Sequence, residues 1–199
     1  MAQNVLDCYT DGACVNGKDK TRPGGWGLYA TISIQGRAKG ICPSKMAYCD
    51  YGGKDDTTNN NMELRGGLEA LKFCSQMKNT QITVYTDSTY FAKGLVGDFP
   101  IAKTDMCSKI FPITLPIGGW VKGWIKNVII SPGENVVYDE AKIWGGERKN
   151  GKEWWKIYHL IKNLLILENK NTLRIQWVRG HKDNVGNEIA DKLSNLYFS

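Results

Sequence analysis

An α/β fold with one mixed sheet is predicted by three features of this 199-residue chain. Residues 5–13 are an apolar, β-rich run in which Asp11 is followed at once by Gly12. Two more strand-like stretches follow as an antiparallel meander. Beyond residue 60, helix-like and strand-like segments alternate, which requires right-handed crossovers and parallel pairing with the first strand. At 42% apolar content the chain has ample core for a single domain. We expect one domain over residues 1–199, with an inserted, Trp-rich basic protrusion at about 97–153.

The elements follow in order. Val5, Leu6, Cys8 and Tyr9 favour a half-buried strand, and Gly12 would let the backbone turn sharply beyond it. A glycine-rich charged loop (16–25) leads to a second strand (26–34), and a third (37–42) pairs with it after Gln35-Gly36. Residues 44–57, with Gly52-Gly53 and Asp55-Asp56, read as a loop. Leu64, Leu68 and Leu71 recur at i, i+4, i+7 in a helix over 62–76, capped by Asn60 or Asn61. Gly66-Gly67 inside it costs about 1 kcal/mol per glycine relative to alanine, so close helix-to-sheet packing is expected there. A strand (82–86) precedes Ser88, which can cap a short helix through Tyr90, Phe91 and Leu95. Residues 97–115 read as irregular. Trp154, Ile157, Tyr158, Ile161, Leu164 and Leu165 then repeat at helical spacing, with Lys156, His159 and Lys162 outside. Leu173, Ile175 and Trp177 alternate as a last strand. Asn187 is placed to cap a final helix whose Ile189, Leu193 and Leu196 would face the core.

Twenty-six basic against 20 acidic residues leave a net charge of +6, which favours an anionic partner, nucleic acid first. The six cysteines form neither a CxxC pair nor a zinc spacing, and read as reduced thiols. The N-terminus moves directly into a strand without a charged and apolar leader, and no apolar run is long enough to span a membrane. An intracellular, soluble protein is expected, in cytoplasm or nucleus.

A carboxylate at the centre of a sheet, such as Asp11, is costly to bury without a cation. Glu63 opens a helix, Asp87 ends a strand and Asp191 lies on the last helix. Two strand-end and two helix-borne carboxylates can converge on one sheet edge as an oxygen-rich cluster suited to Mg2+ or Mn2+. That outlines a phosphoryl-transfer site; the plainer reading makes all four surface charges.

Five short motifs occur in order: Thr10-Asp11-Gly12-Ala13-Cys14, Thr58-Asn59-Asn60-Asn61-Met62-Glu63-Leu64, Thr86-Asp87-Ser88, Trp177-Val178-Arg179-Gly180-His181 and Gly186-Asn187-Glu188-Ile189-Ala190-Asp191. Together they resemble the type 1 ribonuclease H family. The resemblance implies a ribonuclease H-like mixed five-stranded sheet flanked by helices, and metal-dependent endonucleolytic cleavage of RNA in an RNA–DNA hybrid. It makes Asp11, Glu63, Asp87 and Asp191 the ligands of two Mg2+ ions roughly 4 Å apart, for which Mn2+ can substitute. Asp11 would bridge the ions, with Glu63 and Asp87 completing one site and Asp191 the other. His181 would be a mobile general base or proton carrier; a loop or capping histidine is the alternative. Asn16 would read ribose on the RNA strand, Asn59 and Asn60 bases or sugars in the minor groove, and Thr58 a DNA phosphate. Asparagines also serve commonly in turns and caps. The chain departs from the family pattern at Lys18-Asp19-Lys20-Thr21-Arg22, which lengthens the loop before the second strand, at Asp56, where a basic residue is usual, and at Thr89.

Family members often carry a basic protrusion that grips the DNA strand. Here Lys122 and Lys126 are its candidate phosphate contacts, and Trp120, Trp124 and Trp154 its candidate stacking residues. The alternative packs these tryptophans in a small local core. Other readings of the whole chain are a transposase- or integrase-like DNA nuclease, a non-catalytic hybrid-binding module, and a domain cut from a reverse transcriptase. A monomer acting on an RNA–DNA hybrid, with no membrane partner, is the expectation.

Overall fold

The computed structural model describes residues 3–15, 22–34, 44–96, 110–113, 150–165, 169–180 and 184–199. The elements in chain order are β1 (Asn4–Cys14), β2 (Gly24–Ile34), β3 (Ser44–Lys54), α1 (Asn59–Cys74), β4 (Thr80–Thr86), α2 (Thr89–Val96), β5 (Ile110–Ile113), α3 (Gly151–Leu164), β6 (Thr172–Trp177) and α4 (Val185–Asn195). They build one sheet in the order β3-β2-β1-β4-β6-β5. β1 pairs antiparallel with β2 and parallel with β4, and β4 is parallel to β6, so the expected mixed five-stranded sheet is present. The short β5 extends it as a sixth strand, antiparallel to β6, inside a stretch read as irregular. Its Pro112 stands opposite Arg174 on a sheet edge, where a missing N–H is tolerated.

Alternation along β1 buries Leu6, Cys8 and Thr10 and turns Asp7, Tyr9 and Asp11 to the other face. The buried side meets Leu64, Leu68 and Leu71 of α1, Phe91 of α2, and Trp154, Ile157 and Ile161 of α3 in one core. The Gly66-Gly67 expectation holds. A Cβ on Gly66 would strike Thr10 Oγ1, and one on Gly67 would come 2.5 Å from the Phe91 ring. Cys8 Sγ lies 3.6 Å from Cys74 Sγ in this core, and Cys8, Cys14, Cys49 and Cys74 are free thiols. Cys42 and Cys107 lie outside the described residues. Among those residues no helix is long and apolar enough to cross a membrane.

The structure corrects the boundaries in several places. β1 does not turn at Gly12; it runs on to Cys14, with Gly12 opposite Trp26. The expected third strand at 37–42 lies outside the described residues, and the strand that pairs with β2 is the stretch 44–54 read as a loop. β3 is an edge strand with Met46 and Tyr51 59% and 50% exposed, so it carries no inside/outside alternation to recognise. Its Gly52-Gly53 pair makes no turn: a Cβ at either would run into the rings of Trp26 and Tyr197.

α1 begins at Asn59, with Thr58 as N-cap accepting from the Asn61 N–H at 3.3 Å, in place of Asn60 or Asn61. α4 is capped by Asn184, whose side chain accepts from the Asn187 N–H at 3.1 Å, in place of Asn187. Its inner face is Gly186, Asn187, Ala190 and Ser194, while Leu196 is 49% exposed. Of the expected Ile189, Leu193 and Leu196 face, Ile189 and Leu193 are half-buried, with the Leu193 Cβ against Gly27, and only Leu196 turns outward. α4 lies against the backbone of β2: a Cβ on Gly25 or Gly27 would strike the carbonyls of Ser194 or Ala190.

Candidate active site

Four carboxylates reach one end of the sheet by three separate routes. The parallel register sets Thr10 beside Thr86, so Asp11 and Asp87 are the next residues out on adjacent strands. Gly12 lets the first turn of α1 close onto β1, since a Cβ there would fall on the backbone of Met62 and Glu63. Glu63 is thereby brought beside Asp11. Gly27 is the cross-strand partner of Asp11, and its bare Cα admits Ala190 of α4, which puts Asp191 over the same strand end.

Each carboxylate is held by an uncharged donor. Asp11 Oδ1 accepts from the Gly12 N–H at 2.7 Å. Glu63 accepts from Ser88 Oγ at 2.6 Å and from Asn59 Nδ2 at 2.9 Å, one on each oxygen. Asp87 Oδ2 accepts from Asn187 Nδ2 at 3.4 Å, and the Asp87 carbonyl accepts from the Trp177 indole at 2.9 Å. Asp191 Oδ1 accepts from Asn195 Nδ2 at 3.3 Å.

Burial, and then the charge of Asp87, push the Asp11 carboxyl up to about 8 despite its bond to Gly12; Asp191 and Glu63 add to the effect. Burial also raises Glu63, against the bond from Ser88. Crowded like charges in a desolvated site shift proton affinity in this sense. They also make the site one that a cation would relieve. Among the described residues no group of three His, Cys, Asp or Glu side chains is already gathered round a point that could hold a metal ion. The chemistry of the donor set, all carboxylate oxygen, nevertheless suits a hard divalent cation such as Mg2+.

Of the other expected site residues, Thr58 and Asn59 are exposed and Asn60 half-buried on the first turn of α1. Asn59 is engaged with Glu63. Trp154 is a correction: it is fully buried, stacks on Phe91 at 6.2 Å, and donates its indole N–H to Tyr90 Oη at 3.3 Å. Helical spacing had already marked it as apolar-face, and Gly94 leaves room for its ring, so it is core and does not stack on substrate. Asn16, Trp120, Lys122, Trp124, Lys126 and His181 lie outside the described residues.

Reading by motif missed the residues that hold the carboxylates. Sequence marks Ser88 only as a cap; it does cap α2, accepting from the Phe91 N–H at 3.0 Å, and holds Glu63 as well. Asn187, placed by sequence as a cap, instead reaches Asp87. Asn184 and Asn187 stand three apart, so either could cap by sequence, and only the orientation of α4 separates them. Gly180 also borders the site, since a Cβ there would stand 2.6 Å from Asp87 Oδ2.

The chain is similar to known proteins along nearly its whole length. A ribonuclease H from Orientia tsutsugamushi (strain Boryong) is 32% identical over 186 residues, 94% of this chain and 77% of that protein. The fold is shared with LC9-RNase H1, described as a type 1 RNase H with the type 2 active-site motif, at a TM-score of 0.61 and 20% identity, covering 98% of this chain and 72% of that one. A foamy viral protease-reverse transcriptase in complex with RNA/DNA hybrid shares it at 0.58 and 15% identity, covering 96% of this chain and 19% of that one. The RNase H family model matches residues 3–197, and with four carboxylates converging on one sheet end this chain belongs to the ribonuclease H family.

Proposed function

We propose that this chain hydrolyses the RNA strand of RNA–DNA hybrids endonucleolytically, with two divalent cations, Mg2+ in the first place. The observation that carries the reading is the convergence of Asp11, Glu63, Asp87 and Asp191, with Asp11 pushed by burial, and then by the charge of Asp87, to hold a proton near neutral pH. When bound, the metal pair supplies an activated water on one side of the scissile phosphate and charge stabilisation at the leaving oxygen on the other. Asp11 on the central strand, with Glu63, Asp87 and Asp191 around it, would hold the ions. His181 takes or carries the proton, as an imidazole titrating near neutral can.

The hybrid, which the foamy viral relative binds, is the assigned substrate class. Thr58 and Asn60, on the open first turn of α1, contact its phosphate and minor groove beside Glu63, with Asn16 at the ribose. Asn59 joins them by exchanging its bond to Glu63 for one to substrate. Residues 1–199 act as one domain and as a monomer, with Lys122, Lys126, Trp120 and Trp124 on the DNA strand.

The test is a labelled RNA–DNA hybrid incubated with protein and Mg2+, beside single-stranded RNA and duplex DNA. Internal cuts confined to the RNA of the hybrid are expected. Cleavage of duplex DNA would favour a transposase- or integrase-like nuclease. Tight hybrid binding without cleavage would favour a binding module.

A further inference from the structure

We propose that Ser88 and Asn187 are positioning residues of the carboxylate cluster, Ser88 setting the direction of Glu63 and Asn187 that of Asp87. The inference rests on the reading of these carboxylates as metal ligands. Ser88 is 4% exposed, and its hydroxyl is used on both sides. It accepts from the Phe91 N–H at 3.0 Å, which leaves its single proton for Glu63 Oε2 at 2.6 Å. Among the described residues the second oxygen of Glu63 is held by exposed Asn59, a bond open to solvent and to substrate. Ser88 is therefore the fixed end of the pair.

Asn187 is 2% exposed and faces inward because Asn184 has taken the capping role. Its Nδ2 points at Asp87 Oδ2, and its Oδ1 is buried with no hydrogen-bond partner among the described residues. Among the described residues that buried carbonyl is unmatched, a cost of the kind tolerated at functional sites. Gly180 and Trp177 complete the arrangement around Asp87. The first leaves space beside the carboxylate, and the second pins the backbone carbonyl. Both side-chain donors are uncharged, so they orient the carboxylates without cancelling the charge that an incoming cation meets.

The experiment is a Mg2+ titration without substrate, read as the rise in melting temperature of the intact protein. Removing an outer-shell partner weakens metal affinity by roughly ten- to a hundredfold. Asn187→Leu, which keeps the volume but loses the donor to Asp87, is expected to need at least about tenfold more Mg2+ for half its rise. Ser88→Ala is expected to lose both the α2 cap and Mg2+ affinity, and Ser88→Thr, which keeps the hydroxyl, to recover the affinity. A purely structural role would lower the melting temperature and leave the Mg2+ midpoint in place. Unchanged midpoints in Asn187→Leu and Ser88→Ala would overturn the proposal. Since no hybrid is present, a wild-type protein that cuts no hybrid would remove the proposed function while these midpoints still decide the inference.

Discussion

Asp11 is held by the folded chain in the state least comfortable for a carboxylate, out of water and among like charges. Its carboxyl is raised from the ordinary 3.8 to about 8. Between those values the folded protein keeps a proton that the unfolded chain has released. Metal-free stability is therefore greatest below the unfolded value and is lost as pH rises, until the folded group also ionises near 8. Glu63, also raised by burial, acts in the same direction. Asp11→Asn should abolish turnover, flatten this pH dependence, and stabilise the metal-free fold at pH 8 by on the order of a few kcal/mol. Melting in chelator at pH 5 and pH 8 checks it; parallel wild-type and mutant curves would contradict the account. His181→Ala should slow turnover by about 10²–10⁴-fold and leave Mg2+ affinity in place, since a proton carrier is partly replaced by water. A calorimetric loss of Mg2+ binding in this variant would make His181 a ligand.

At the scale of elements, glycines decide where the carboxylates meet. Gly12 admits α1, Gly27 admits α4, and each removes a Cβ that would otherwise occupy backbone. Gly27→Ala should push α4 off β2, displacing Asp191, at a cost of about 1–3 kcal/mol in stability and with most of the hybrid-cleaving activity lost. A variant with wild-type melting and turnover would show that α4 has slack. The same close approach explains which parts of the elements could be read in advance. Gly66-Gly67 within a leucine-periodic helix signalled tight packing, because a helix tolerates paired glycines only with compensation. The inner face of α4 was only partly legible, since apolar periodicity points to Ile189 and Leu193 whereas the fully buried positions are Gly186, Asn187, Ala190 and Ser194, the last two set against the glycines of β2.

For the whole molecule, the sheet brings four segments distant in sequence to one end, and the net charge of +6 favours the anion expected to lie across it. Lys122 and Lys126 are the proposed residues for that contact. Lys122→Ala with Lys126→Ala should raise the Michaelis constant for hybrid and flatten the salt dependence of binding, while the saturating rate changes little, because phosphate contacts position substrate without doing chemistry. If the salt slope of the double mutant matched wild type, hybrid binding would rest on the asparagines of α1 and its neighbourhood.

The sequence by itself determined the mixed sheet with its parallel pairing to the first strand, and the four acidic residues that the fold brings to one sheet end. Strand alternation, crossover handedness and strand-end acids are local or topological properties, readable one segment at a time. Tertiary structure decided everything that depends on which surfaces touch. It made Gly12 a contact point for α1 rather than a turn, turned a two-sided exposed stretch into β3, and put Trp154 in the core. It also freed Asn187 from capping to reach Asp87 across the site. Each of these is settled by the distance between two backbones, and no single segment of the chain carries that distance.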